Sequence, residues 1–234
     1  MKIQVWSDYV CPFCYIGKRE LENALKETGF DSQVEVEYKA YQLDPTTPVE
    51  NNEKFQETLA KKYDMTPEMV QQQTEGIKAR AAQVGLDYHF EDMYNENTFK
   101  AHRLAKYAAT VNKEKDMTER LLKAYFVENQ RIGNEAVLVA LAKEVGLEEE
   151  AVTAALQQES FATETLADIE EAQKVGVRGV PFFVINEKYA ISGAQPSDVF
   201  KKAIQQVADE ENLTPALKMF GDESATCDGD NCKL

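Results

Sequence analysis

Cys11 and Cys14 flank Pro12 and Phe13, and two thiols at this spacing can close a shared disulfide and give it up again. The pair follows an extended apolar run, Ile3-Gln4-Val5-Trp6-Ser7, and opens a helical pattern carried by Ile16, Leu21, Ala24 and Leu25. Cys11 is therefore expected where a strand turns into a helix. Unpaired N–H groups and the macrodipole at a helix N-terminus favour an anion, and a thiolate is the reactive form of cysteine. Cys14, one turn further in, is placed to attack a mixed disulfide at Cys11 and release the partner. Ionisation raises the share of thiolate but lowers its intrinsic nucleophilicity, and the two effects nearly cancel. The larger consequences are a better leaving group and a stabilised dithiol.

A second segment, Gly176-Val177-Arg178-Gly179-Val180-Pro181-Phe182-Phe183-Val184, bears on the same chemistry. Pro181 is allowed at the start of a strand because it need not donate a ladder hydrogen bond there. A trans Val180–Pro181 bond would make it a plain strand start. A cis bond would turn the backbone of Val180 outward, where it could pair with an extended substrate beside Cys11.

The elements that must position these residues follow from periodicity. Val34 to Tyr41 alternates and reads as a second strand, ending in the turn cluster Asp44-Pro45-Thr46-Thr47-Pro48. From about residue 50 to 175 the pattern is helical, with faces such as Phe55, Leu59 and Tyr63, or Val70, Thr74, Ile77 and Ala81. Asn134 reads as an N-cap and Gly146 as a helix stop, and Leu166, Ile169 and Ala172 mark a last helix. Val180–Ile185 and Tyr189–Ser192 flank a short hairpin turn, and a closing helix is expected over 197–209. The order β, α, β, helical block, α, β-hairpin, α describes an α/β domain carrying a helical insertion.

The segments Ser7 to Gly17, Asn97 to Leu104, Gly176 to Phe183 and Ile191 to Pro196 together resemble the DsbA-like thioredoxin superfamily. Within it the chain is similar to the cytoplasmic FrnE-like branch, itself related to 2-hydroxychromene-2-carboxylate isomerases. The resemblance spans residues 7 to 196. It implies a thioredoxin fold with a large all-helical insertion: residues 1–48 and 175–213 as the thioredoxin-like domain, 49–174 as the insertion, and 214–234 as a polar tail. The last helix of the insertion could belong to either part. The resemblance also implies Cys11 as nucleophile, Cys14 as resolving thiol and Pro181 in cis. The related isomerases and the kappa-class glutathione transferases carry a serine where this chain has Cys11, and they use glutathione.

The net charge of −15 speaks against nucleic acid or an anionic membrane surface as partner. No apolar run is long enough to span a bilayer, and Asp8 interrupts the N-terminal apolar stretch too early for a signal segment. The expectation is a cytoplasmic protein, a setting where a C-x-x-C is redox-active or metal-binding rather than structural. Zinc pairs usually lie ~15–20 residues apart. Cys14 and Cys227 are more than 200 residues apart, and no metal site is expected.

The expected function is thiol–disulfide exchange with protein or small-thiol substrates, with no cofactor beyond the redox pair and glutathione as a conceivable thiol partner. Pro12, Phe13 and Val180 are candidate substrate contacts, together with Asn97 and His102 if their segment covers the Cys11 cleft. His102 reads first as a locally hydrogen-bonded core histidine. Cys227 and Cys232 in the tail are candidates for an auxiliary redox pair that shuttles electrons to Cys11 and Cys14. The alternatives are a glutathione-dependent isomerase or transferase and a zinc-holding or partner-binding protein.

Overall fold

The computed structural model describes residues 1–216 and, beyond them, only the backbone of Cys227–Asp228 and Asn231–Cys232. Strand β1 (Lys2–Ser7), helix α1 (Pro12–Thr28) and strand β2 (Glu35–Ala40) form a β-α-β unit with β1 and β2 parallel, Ile3 opposite Val36 and Val5 opposite Tyr38. Strands β3 (Phe182–Ile185) and β4 (Tyr189–Ser192) complete a mixed sheet in the order β2-β1-β3-β4. β3 runs antiparallel to both neighbours, with Val5 opposite Phe183 and Phe183 opposite Ile191. The hairpin between β3 and β4 turns at Asn186 and Glu187, both at positive φ, as a tight turn matching the sheet twist requires.

Between β2 and β3 lie seven helices: α2 (Phe55–Tyr63), α3 (Pro67–Gln83), α4 (Phe99–Thr110), α5 (Glu114–Phe126), α6 (Glu135–Glu144), α7 (Glu149–Gln157) and α8 (Glu159–Val175). Helix α9 (Ser197–Glu211) follows the hairpin. This is the thioredoxin fold with a large helical segment that the family resemblance implies.

Alternation along the strands divides the core. Ile3, Val5, Phe183 and Ile185 point to the face covered by α1 and α9, where they meet Leu21, Leu25, Phe200, Ile204 and Val207. Trp6, Phe182 and Val184 point to the other face, against Ala172 of α8 and Val177. The Trp6 indole N–H donates to the Asp168 carbonyl at 3.1 Å, which fastens α8 to β1. Burying a side chain of this size contributes a few kcal/mol. A separate core within the helical segment takes in Tyr9 of the loop before α1 and Tyr15 and Ile16 of α1.

Asn134 caps α6 as expected, its Oδ1 accepting from the Ala136 and Val137 N–H groups at 2.9 and 3.3 Å. Three expectations need correction. Tyr63 and Leu166, read as face-forming residues, are 57% and 50% exposed, because α2 and α8 bury narrower stripes than their apolar content suggests. Residues 149–157 form a helix of their own that the apolar spacing did not single out. The closing helix continues two residues past Asp209, to Glu211.

Candidate active site

β1 delivers the chain to Cys11, and the turn is closed by the Cys11 N–H donating to the Asp8 carbonyl at 3.1 Å. Cys11 is the N-cap of α1 in an extended conformation, with Pro12 at the first helical position, where the missing N–H costs nothing and the fixed φ suits the helix. The first turn of α1 carries no acidic residue, whereas α2, α3, α5 and α6 all do. The positive end of α1 is thereby left to the Cys11 sulfur. Both cysteines are free thiols and buried, Cys11 at 4% and Cys14 at 3% exposure.

The Val180–Pro181 peptide bond is cis. Val180 is half-buried, and its carbonyl accepts the Cys11 thiol at 3.4 Å. Pro181 is held from behind, its carbonyl accepting the Gly193 N–H at 2.8 Å. The Tyr88 hydroxyl donates to the Pro12 carbonyl at 2.8 Å and pins the residue between the thiols to the helical segment.

Cys14 lies deeper. Its Sγ accepts the Asp8 N–H at 3.5 Å. Burial, together with the hydrogen bond and charge of Cys11, pushes the Cys14 thiol well above its ordinary pKa, against a smaller opposing pull from the Ser7 hydroxyl and the Asp8 N–H. Cys14 is therefore protonated at rest and becomes a nucleophile only once that proton has somewhere to go.

A cavity of about 260 Å³ opens at Cys11. The candidate substrate contacts Pro12, Phe13 and Val180 line it, and Val10, Leu43, Phe55, Leu59 and Ile77 give it an apolar wall. Asp8, Asp44, Glu96 and Lys62 supply its charged groups. Glu96 is tied to Arg131 and accepts the Gly133 N–H at 2.9 Å.

Two expected contacts lie elsewhere. Neither Asn97 nor His102 lines this cavity. The Asn97 side-chain amide donates to the Thr47 carbonyl at 2.7 Å, and its Oδ1 accepts the Phe99 N–H at 3.0 Å. It fastens a loop and starts α4. His102 is buried behind the site, with Nε2 3.0 Å from the Tyr41 carbonyl and 3.5 Å from Asp8 Oδ1. Cys227 and Cys232 lie outside the residues whose side chains are described; their backbones pair opposite one another in two short antiparallel strands, β5 (Cys227–Asp228) and β6 (Asn231–Cys232).

Sequence reasoning passed over Asp8, Ser7 and Tyr88. A carboxylate at the end of a strand, three residues ahead of a thiol, was a legible signal for Asp8. Tyr88 left none, because its contact with Pro12 comes only from folding.

Residues 2–205 match the family model described as the DSBA-like thioredoxin domain. The chain belongs to the DSBA-like thioredoxin domain family. The chain is 32% identical over 207 residues to YwbO, an uncharacterized protein of Bacillus subtilis, covering 86% of this chain and 94% of that one. Among solved structures, a probable DsbA oxidoreductase from Streptomyces coelicolor superposes with a TM-score of 0.85 at 33% identity, over 100% of this chain and 99% of the other. A 2-hydroxychromene-2-carboxylate isomerase superposes with a TM-score of 0.71 over 91% and 98% of the chains, at 15% identity, a likeness of fold. Family membership makes this chain a DSBA-like enzyme of redox or isomerase type.

Proposed function

We propose that the protein is a thiol–disulfide oxidoreductase that exchanges disulfides with protein or small-thiol substrates through Cys11 and Cys14. The observation that carries this reading is the joint placement of two free thiols on the first turn of α1 against the cis Val180–Pro181 bond. Cys11 attacks a substrate disulfide at one sulfur, forming a mixed disulfide and releasing one thiolate. Cys14 then attacks Cys11 Sγ, which closes the Cys11–Cys14 disulfide and releases the second thiolate. The substrate is reduced by two electrons and the pair oxidised; a small thiol of the glutathione class reverses the change.

The apolar wall beside Cys11 suits a peptide segment with an apolar neighbour to its cysteine. In a reducing cytoplasm, reduction or isomerisation is the productive direction, and the proposal places the protein there. No helix among the described residues is long and apolar enough to cross a membrane. Insulin reduction driven by dithiothreitol tests the reading: wild type accelerates it and Cys11→Ser does not. Equal turnover in the two proteins would remove the assignment, and turnover that persists in Cys14→Ser would favour a single-thiol, glutathione-using enzyme. The reading further assigns Cys227 and Cys232 an auxiliary redox role. Truncation after residue 220 is then expected to slow reoxidation or rereduction of the main pair, and an unchanged rate would remove that role.

A further inference from the structure

The apolar cavity at Cys11 has a neighbour. A second cleft, of about 750 Å³, lies between Gly76, Ala79 and Arg80 of α3 and the β4–α9 loop at Gly193 to Pro196. Phe13 and Val180 line both clefts, so the two meet beside Cys11. An extended chain laid along the Val180 backbone has access to both from the sulfur it brings to Cys11.

Each cleft holds one cation, Lys62 of α2 in the first and Arg80 of α3 in the second. Among the described residues neither is in an ion pair: Lys62 lies 5.9 Å from the Tyr63 ring centroid, and Arg80 donates to the Ala194 carbonyl with its guanidinium 5.7 Å from the Phe13 ring centroid. Their neighbours on the same helices differ. Lys61 pairs with Glu53, and Lys78 pairs with Glu75 and Glu91. The carboxylates of the two clefts are committed to other donors. Asp8 accepts the Leu43 N–H at 2.7 Å, Glu20 accepts the Ser197 N–H at 2.8 Å, and Glu96 is held by Arg131 and the Gly133 N–H. Asp44, held low mainly by the Thr46 hydroxyl and in smaller part by the Lys62 charge, spends Oδ1 on the Thr46 N–H and hydroxyl at 2.9 and 2.6 Å.

Resting on the exchange reaction of the proposed function, we infer that the site selects polypeptide disulfides whose cysteine is flanked by acidic residues, Lys62 taking a carboxylate in the apolar cavity and Arg80 one in the second cleft. The captured sulfur forms the mixed disulfide with Cys11, and the other sulfur leaves as a thiolate. Arg80 suits the task because the Ala194 carbonyl and the Phe13 ring hold its guanidinium in place while further N–H groups remain to grip a carboxylate. The chain as a whole carries a charge of −15, so two unpaired cations beside the reactive sulfur run against the trend of its surface. The overall repulsion of an acidic partner is screened beyond about 8 Å at physiological ionic strength, which leaves the contacts in the clefts to decide.

Disulfide-linked dimers of a short cysteine peptide, made with Glu, Gln or Lys on both sides of the cysteine, test this with the full-length protein and dithiothreitol as terminal reductant. In kcat/KM the Glu peptide is expected to exceed the Gln peptide by about 5-fold, as a partly exposed ion pair supplies, and the Lys peptide to fall below both. Arg80→Gln and Lys62→Gln should each lower the Glu-to-Gln ratio, and the double variant should bring it to one. Arg80→Lys, which keeps the charge, should hold the ratio above that of Arg80→Gln. A merely structural Arg80 would slow all three peptides alike and leave the ratio where it was. Lys26→Gln makes the same charge change in the last turn of α1, at the end away from Cys11, and should leave the ratio unchanged. A wild-type ratio near one overturns the selection, as does a ratio that survives the double variant or falls equally in Lys26→Gln. It is also overturned if the variants slow reduction of glutathione disulfide without moving the peptide ratio, which would give both cations to a small anionic thiol. Failure of the wild type to reduce any of the peptides would instead remove the proposed function itself.

Discussion

Gly17 faces Pro181 across a gap with no room for a methyl group: a Cβ on residue 17 would stand 2.9 Å from Pro181 Cγ and 3.1 Å from Phe183 Cζ. Glycine inside a helix is ordinarily a cost of up to ~1 kcal/mol relative to alanine. Here it lets the first turns of α1 lie against the cis-proline loop, so that Cys11 reaches the Val180 carbonyl.

Gly17→Ala should therefore reverse the usual sign. Overpacking against a ring held at both ends costs about 1–3 kcal/mol, and helix propensity returns at most ~1. A net loss of about 1 kcal/mol by urea denaturation is expected, together with slower insulin reduction as α1 is displaced from Val180. A stabilised, fully active Gly17→Ala protein would show that the contact does not set the site.

The two thiols should differ in reactivity. Burial keeps Cys14 well above its ordinary pKa, and burial persists when Cys11 is replaced. In Cys11→Ser, alkylation of Cys14 by iodoacetamide should stay slow at neutral pH and rise only above the ordinary thiol range. In the native dithiol, mass mapping after brief alkylation at neutral pH should find the label on Cys11. Equal labelling of both would contradict the asymmetry.

Glu119 ties α5 to α1. It accepts from Lys18 Nζ at 2.5 Å and the Tyr15 hydroxyl at 2.6 Å, and it pairs with Arg19. Burial alone would raise its carboxyl, but Lys18, Arg19 and Tyr15 outweigh it and hold Glu119 at about 2. A carboxyl depressed on folding contributes stability above its ordinary range, and that contribution is lost as pH falls toward about 2. Glu119→Gln should cost about 1–2 kcal/mol at pH 7, discounted for its partial exposure. The difference from wild type should shrink steadily below pH ~4.5 and vanish near pH ~2.

Tyr88→Phe removes the donor to the Pro12 carbonyl and leaves that oxygen without its partner, at about 1–2 kcal/mol. The loss falls on the segment between the thiols. Denaturant midpoints and the equilibrium of Cys11–Cys14 with glutathione should both shift; a shift in neither would make the bond incidental.

Much of this was legible in the chain. The strand into Ser7, Pro12 at the start of α1 and the cysteine spacing are local signals, and local signals decide where β1 stops and α1 begins. Asn134 announced a cap for the same reason. Tyr63 and Leu166 misled because an apolar residue on a short helix reveals its face only when a neighbour covers it. Asn97 and His102 fell on the right segment, but their bonding was settled by Thr47, Tyr41 and Asp8, residues far away in the chain. A small cavity behind the sheet end gathers Ser7 from β1, His102 from α4 and Glu114 from α5, a meeting that no periodicity encodes.

Trp6 is the chain's one tryptophan, fully enclosed, bonded to α8 and edge-on to Phe182 at 6.5 Å, next to Pro181. The protein thus carries a single indole fluorophore at the seam between sheet and helix. Its emission, free of overlap from any second emitter of its kind, follows separation of α8 from β1 and gives an optical record of events beside the redox pair without an added dye.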